Sequence, residues 1–335
     1  MLGYLVRRIL LIIPTLILTS ILIFFLVQLP PGDFLTYKIM ELRESGDASA
    51  IAEVAALREI YGLDKPFLVQ YFRWLTGFLN GNFGYSFEWE KPVAEVIGNR
   101  LTLTMIISIS TIIFTWITAL PIGIYSATHQ YSPGDYVFTF LGFVGMATPG
   151  FLLALLLLFL SFSTLGQSVG GLFSPEFISA AWFSSDYPYF NWAKLWDFLK
   201  HLWIPVVVIG VAGTAGMIRV MRGNLLDELR KQYVTTARSK GLSERRLLVK
   251  YPVRMALNPF VSGIGGLFPA LISGSTIVSV VLALPTTGPM LLNALMSQDM
   301  YLAGTFLMFL SILTVFGYLI SDILLAWLDP RIRYE

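Results

Sequence analysis

The sequence contains no cysteine and only two histidines, and 13% of its 335 residues are charged. Without cysteine there is no disulfide, no thiol nucleophile and no thiolate-bound metal, and two histidines leave little for an imidazole metal site. The charge falls well short of the roughly 25% of an average soluble domain. With 56% hydrophobic residues and a mean hydropathy of +0.70, this argues against an ordinary soluble enzyme and against disorder. A phosphate-binding Gly-x4-Gly-Lys-Ser/Thr loop is also missing, since no glycine is followed directly by lysine. What is abundant is apolar surface. Twenty-five Phe, 15 Tyr and 8 Trp exceed what one core of this size buries, so lipid is the expected solvent for much of the chain.

A hydrocarbon layer of ~30 Å needs about 20 apolar residues per helix. Six stretches almost free of Asp, Glu, Lys and Arg meet that length: Ile9–Leu29, Leu101–Ala127, Tyr136–Leu165, Leu202–Ile218, Phe260–Leu284 and Ala303–Leu328. The first follows Arg7 and Arg8 but exceeds a signal-peptide core and lacks a small-x-small site before Pro30, so it reads as a retained span. Basic residues set the expected orientation. With the N-terminus inside, the inner connections hold fourteen Lys/Arg, ten of them between Arg219 and Arg254; the outer ones hold nine Lys/Arg and fourteen acids. Both termini are therefore expected inside.

The connections differ in size. Residues 30–100 form an extracytoplasmic region in which Ile51, Val54 and Ala55, then Phe67, Leu68, Tyr71, Trp74, Leu75 and Phe78, recur at helical spacing. Two amphipathic helices making a small external cap are expected, the alternative being that the second lies flat at the membrane interface. Between the third and fourth spans, Phe173, Phe177, Trp182, Phe183, Tyr187, Tyr189, Phe190, Trp192, Trp196 and Phe198 suggest an interfacial aromatic belt. Residues 101–335 then form the core.

The most informative stretch is 219–259. From Leu225 to Ser239 there is no Gly or Pro, and Leu225, Leu226, Leu229, Tyr233, Val234 and Ala237 share one helical face, predicting a single helix. Gly241 ends it with Lys240 in its last turn, and Ser243 caps a second helix with Glu244 in its first turn, running until Pro252. The product is a helix–turn–helix on the inner face. Its bases suit either anionic lipid or an acidic protein groove.

Tyr233-Val-Thr-Thr-Ala-Arg-Ser-Lys-Gly-Leu242, followed by Ser243-Glu-Arg-Arg, resembles the loop of inner-membrane permease subunits of binding-protein-dependent ABC transporters, and most closely the dipeptide/oligopeptide branch. The general Glu-Ala-Ala-x3-Gly pattern falls on Thr235, Thr236, Ala237 and Gly241, without the glutamate, as is usual in that branch. The later Ile-x-Leu-Pro falls on Tyr251-Pro252-Val253-Arg254 and departs from it. Arg7–Arg8 with Pro14, Pro30-Pro-Gly-Asp33, Tyr61-Gly-Leu-Asp-Lys-Pro66, Ala147-Thr-Pro-Gly-Phe151, Leu284-Pro-Thr-Thr-Gly288, Asp322 and Leu328-Asp-Pro-Arg-Ile-Arg-Tyr334 extend the likeness along the chain; Gln298-Asp299-Met300-Tyr301 diverges where the branch more often has Arg-Asp-Tyr-Pro.

The resemblance implies an all-α type I importer permease with six spans in the cell membrane. It also implies a homologous second permease, two cytosolic ATPase subunits carrying ATP and Mg, an extracytoplasmic binding protein, no nucleic-acid partner and no cofactor on this chain. It places the first inner-loop helix in an ATPase groove. Tyr233, Val234 and Leu242 would then offer apolar contact, Ala237 and Gly241 close approach beside Thr235 and Thr236, and Arg238, Lys240, Arg245 and Arg246 charge pairing. Peptides are the implied cargo, with oligosaccharides or nickel complexes as alternatives within the branch. A carrier driven by ions would need ionisable groups at mid-membrane depth. Here Asp322 is the single acid within an expected span, near its inner end, where pairing with Arg331 or a neighbouring chain's base is the favoured role. An intramembrane Ser/His enzyme fails because His129 and His201 fall at opposite faces of that topology, and no ion-channel filter pattern is seen.

Overall fold

Charge-free apolar stretches leave the backbone no partner but itself, and they fold as helices. The structure is a computed structural model describing residues 2–32, 34–45, 52, 54, 56, 58–59, 62–166, 170–183 and 190–328. In chain order its elements are α1 (Leu2–Gln28), α2 (Phe34–Ser45), α3 (Phe67–Leu79), β1 (Tyr85–Ser86), β2 (Lys91–Pro92), α4 (Val93–Thr128), α5 (Pro133–Ala147), α6 (Gly150–Leu165), α7 (Pro175–Ile178), α8 (Trp192–Leu229), α9 (Gln232–Ser239), α10 (Glu244–Lys250), α11 (Pro252–Ala256), α12 (Asn258–Ser262), α13 (Ile264–Val281), α14 (Thr287–Met296) and α15 (Met300–Leu328).

Among the described residues, five helices are long and apolar enough to cross a membrane: α1 over Arg7–Gln28, then α4, α8, α13 and α15. The sixth apolar stretch, expected as one span over Tyr136–Leu165, is instead two helices, α5 and α6, bent by 101°. Thr148 is extended, at φ −81° and ψ 118°, and Pro149 opens the second helix. A proline lacks the N–H that would bond back one turn and pushes the preceding residue out of helical geometry. Pro14, Pro121, Pro205 and Pro269 are absorbed inside their helices, so only one of the five span prolines breaks its helix.

The chain forms two compact units, one of Met1–Leu103 with Thr286–Leu319 and one of Thr104–Pro285 with Ile320–Glu335. In the first unit the amphipathic helix expected after residue 66 is α3, and its buried face is Tyr71 and Trp74. It lies along α1: the Ser20 and Tyr71 hydroxyls are 2.9 Å apart, and the Phe24 ring meets Tyr71 at 5.5 Å and Trp74 at 5.6 Å. Leu68, Phe72 and Leu79 on its other side stay exposed. An apolar outer face beside the first span fits the interfacial alternative better than a solvated cap. Of the helix expected at Ile51, Val54 and Ala55, Val54 is helical, while positions 51 and 55 lie outside the described residues. The helix α2 was not anticipated.

Near the last helix of this unit, Asp299 is fully buried. It accepts from Ser86 Oγ at 2.6 Å, Glu88 N at 3.3 Å and Leu302 N at 3.1 Å, tying the strand pair to the start of α15. Burial pushes its carboxyl above the ordinary range, and the hydrogen bonds pull the other way.

In the second unit α8 is the central post, packed by α5, α6, α11 and α13. The aromatic-rich loop before it is only partly a belt. Phe173, Trp182 and Phe198 cluster at 5.4–6.3 Å and take the buried Lys194 ammonium over the Phe173 and Trp182 rings at 4.8 and 5.0 Å. Phe183, Trp192 and Trp196 remain exposed, as a belt requires, while Tyr187 and Tyr189 lie outside the described residues.

Candidate functional site

The stretch expected as one helix over Leu225–Ser239 is broken. The long helix α8 ends at Leu229, Lys231 is extended at φ −75° and ψ 148°, and α9 begins at Gln232. No glycine or proline causes this. Glu228 accepts from Lys231 Nζ at 2.6 Å and from the Tyr233 hydroxyl at 2.5 Å, and both bonds close around the break. Side-chain bonds to a carboxylate outweigh the modest propensity for continued helix at Arg230 and Lys231. Burial, then the Glu228 bond, raises the Tyr233 phenol far above its ordinary value.

The two short helices close on a small core of their own. Val234 and Leu247 are fully buried and Ala237 nearly so, flanked by Tyr233, Leu242 and Tyr251. Each fully buried Val or Leu contributes about 1.5–3 kcal/mol. Gly241 makes the turn at φ +76°, its N–H bonding Arg238 O at 3.0 Å. A Cβ there would meet nothing within 4 Å, so glycine serves conformation, not space. Ser243 precedes α10 in extended geometry, but its hydroxyl makes no cap bond. Across the turn Arg238 grips Glu244 with two bonds, Nε to Oε1 at 2.5 Å and Nη2 to Oε2 at 3.0 Å. That bonding holds the Glu244 carboxyl below its usual range.

Val234 and Ala237, expected at an outward contact, are therefore spent on internal packing. Thr235, Thr236, Arg238, Lys240, Gly241, Arg245 and Arg246 are exposed, and Tyr233 and Leu242 are half-buried. The exposed set carries four positive side chains, one of them already paired with Glu244.

The element stands on a firm base. Met221 and Leu225 of α8, Ala127 of α4, and Val253 and Ala256 of α11 form one buried cluster, with Leu248 and Leu229 packed against it. Beside it Arg222 holds Asp135, at 3.0 Å from Nε to Oδ1 and 2.9 Å from Nη2 to Oδ2. Asp135 also accepts from Tyr131 N at 3.0 Å, with Tyr131 at φ +65°. Asp135 and Glu228 were not singled out from the sequence. Asp135 follows Ser132-Pro133, and Ser132 Oγ does accept from the Asp135 N–H. That capping signal was legible; the Arg222 partnership, 87 residues away, was not.

Residues 119–334 match the family described as the inner membrane component of binding-protein-dependent transport systems, and residues 1–110 match the N-terminal membrane component of such systems. The chain belongs to this family. It is a multi-pass inner-membrane permease, all-α in its spans. Among its relatives are the oligopeptide transport system permease protein AppB of Bacillus subtilis, 33% identical over all of both chains, and a putative peptide permease of Brucella ovis, 31% identical over 99% of both. The glutathione transport system permease protein GsiC of Salmonella typhimurium is 30% identical, again over the full length of both. Membership in the family implies a substrate-binding protein and ATPase partners. In this permease the 219–259 segment holds the end of α8, the helix–turn–helix of α9 and α10, then α11 and the start of α12. Asp322 is half-buried on α15 beside Ser321, and Arg331 lies outside the described residues. Among the described residues no three of His, Asp and Glu gather as metal ligands would.

Proposed function

We propose that this permease forms half of the membrane pathway of an ABC importer for di- and oligopeptides, glutathione-like tripeptides included. The single observation that carries the reading is end-to-end similarity to relatives named as oligopeptide, peptide and glutathione permeases. Six spans with both termini inside, a homologous partner permease, two ATPase subunits holding ATP and Mg, and an extracytoplasmic binding protein complete the assembly. The chain itself holds no ATPase site.

The element over Tyr233–Arg246 is the coupling device. Its outer surface, Thr235, Thr236, Arg238, Lys240, Gly241, Arg245 and Arg246, meets an acidic groove of the ATPase, while Val234, Ala237 and Leu247 keep the two helices one solid body. A body with its own buried core transmits displacement; a flexible loop would absorb it. Tyr233 and Leu242, half-buried, sit between the two roles. Asp322 is read as a structural partner to an arginine such as Arg331.

Reconstitution with the ATPase subunits and binding protein tests the reading. ATP-dependent peptide uptake that survives collapse of the proton gradient is expected. Uptake without any ATPase, abolished by that collapse, would establish an ion-driven carrier instead. Native mass spectrometry of what the cognate binding protein holds decides the cargo.

A further inference from the structure

The last four carbonyls of a helix have no partner within it and carry the negative end of its dipole. At the end of α15 two of them are taken by one side chain: Arg254 Nε donates to Leu328 O at 3.0 Å and Nη2 to Trp327 O at 3.0 Å. The guanidinium also sits 6.0 Å from the centre of the Trp327 ring. Arg254 belongs to α11, which follows α10 after the single residue Tyr251 and packs against both α10 and α8. A second fastening lies one helix further on, where the buried Ser321 donates to Val261 O at 2.6 Å.

We propose that Arg254 is a positioning residue that straps the inner end of α15 to the coupling element, so that the two move as one body during transport. The inference rests on the coupling reading above. Two features separate it from ordinary helix capping. Arg254 is exposed and Trp327 is 68% exposed, so the bonds add little to a buried core; they join two elements more than 70 residues apart in sequence. The acceptors are also on the final turn of a span 29 residues long. A displacement of α10 and α11 therefore pulls on the end of a stiff helix. Arginine suits this because its planar fork spans two carbonyls at once, whereas lysine presents a single point of attachment.

The chain has no cysteine, so spin labels on Ser239→Cys, exposed on α9 outside the contact set, and Ile323→Cys are specific within this subunit. The labelled permease is assembled with its partners in vesicles and measured with and without a non-hydrolysable ATP analogue. The distance between the labels is expected to be the same in both states. Arg254→Ala should broaden it and lower cargo moved per ATP about tenfold, and Arg254→Lys should restore part of the loss. A distance that changes between nucleotide states in the parent protein overturns the strap, as does Arg254→Ala leaving both distance and coupling intact. If Arg254→Ala fails to assemble, the parent distances decide alone. A label on the ATPase paired with Ser239→Cys tests the underlying reading separately. Failure of that pair to come close rejects the coupling site, while the strap still stands or falls on the 239–323 distance.

Discussion

Arg222 of α8 and Asp135 of α5 form a two-pronged ion pair in which the carboxylate is buried, 3% exposed, and the guanidinium is 29% exposed. The asymmetry gives the pair a direction. Removing the arginine strands a charge that has no route to water, whereas removing the aspartate leaves an arginine still partly hydrated.

Arg222→Met should therefore be the more damaging change, by about 3 kcal/mol, with Asp135→Ala costing roughly half as much. The double variant should recover part of the loss, because no charge is then left alone. Thermal melts of the four proteins in one detergent check this. Equal effects of the two single changes would mean that Asp135 is hydrated and the pair is weaker than its geometry implies.

The Glu228 carboxylate holds Lys231 and Tyr233 where α9 leaves α8. Tyr233→Phe removes one hydrogen bond to a carboxylate and should loosen the element by about 1.5–3 kcal/mol. Faster amide exchange over 232–250, with α8 unchanged, is the expected signature. The phenol's pKa is raised by folding, so its contribution is complete below the ordinary tyrosine value of about 10 and is lost only as pH climbs through the higher folded value. Exchange over this segment should accordingly show no tyrosine-linked step between pH 6 and pH 9.

Asp299 behaves in the opposite register to a surface carboxylate. Burial raises its pKa, so the folded chain binds this proton more tightly than the unfolded chain, and its contribution to stability falls as pH rises from the unfolded towards the folded value. Mild acid should therefore favour the folded state by relieving the burial of charge. Asp299→Ala removes an acceptor serving three donors and should cost about 2–3 kcal/mol. It should also abolish the acid-side gain. Melting curves between pH 4 and pH 7 for both proteins provide the measurement; a parent protein less stable at pH 5 than at pH 7, with the variant unaffected, would refute the assignment.

The spans were legible because their signal is the absence of charge over a fixed length: α4, α8 and α15 cover their expected stretches, α1 stops one residue short at Gln28, and α13 is shorter than expected, Ile264–Val281 against Phe260–Leu284. The turn at Gly241 was legible for a similar reason: a positive φ favours glycine, and glycine stands there. Breaks were harder to see. Pro149 interrupts a helical stretch and Pro121 does not, although both stand in apolar surroundings, so the residue type alone does not predict the break. At Arg230–Lys231 there was no breaker to read, because the cause is a pair of side-chain bonds to Glu228. Of the coupling residues, their type and spacing could be read but not which way they face. Val234 and Ala237 look inward because Leu247, ten residues beyond Ala237, supplies the other half of their core.

We propose that the Tyr233–Arg246 element passes the ATPase movement to the membrane. Replacing Gly241 is the test, since a side chain there meets nothing within 4 Å and its cost falls on the left-handed turn between α9 and α10. In vesicles holding the full complex, Gly241→Leu should leave ATP hydrolysis running while peptide uptake collapses, and Gly241→Asn, which tolerates the left-handed backbone, should retain more uptake. Normal uptake by Gly241→Leu, at the parent's ratio of peptide moved to ATP spent, would contradict the claim.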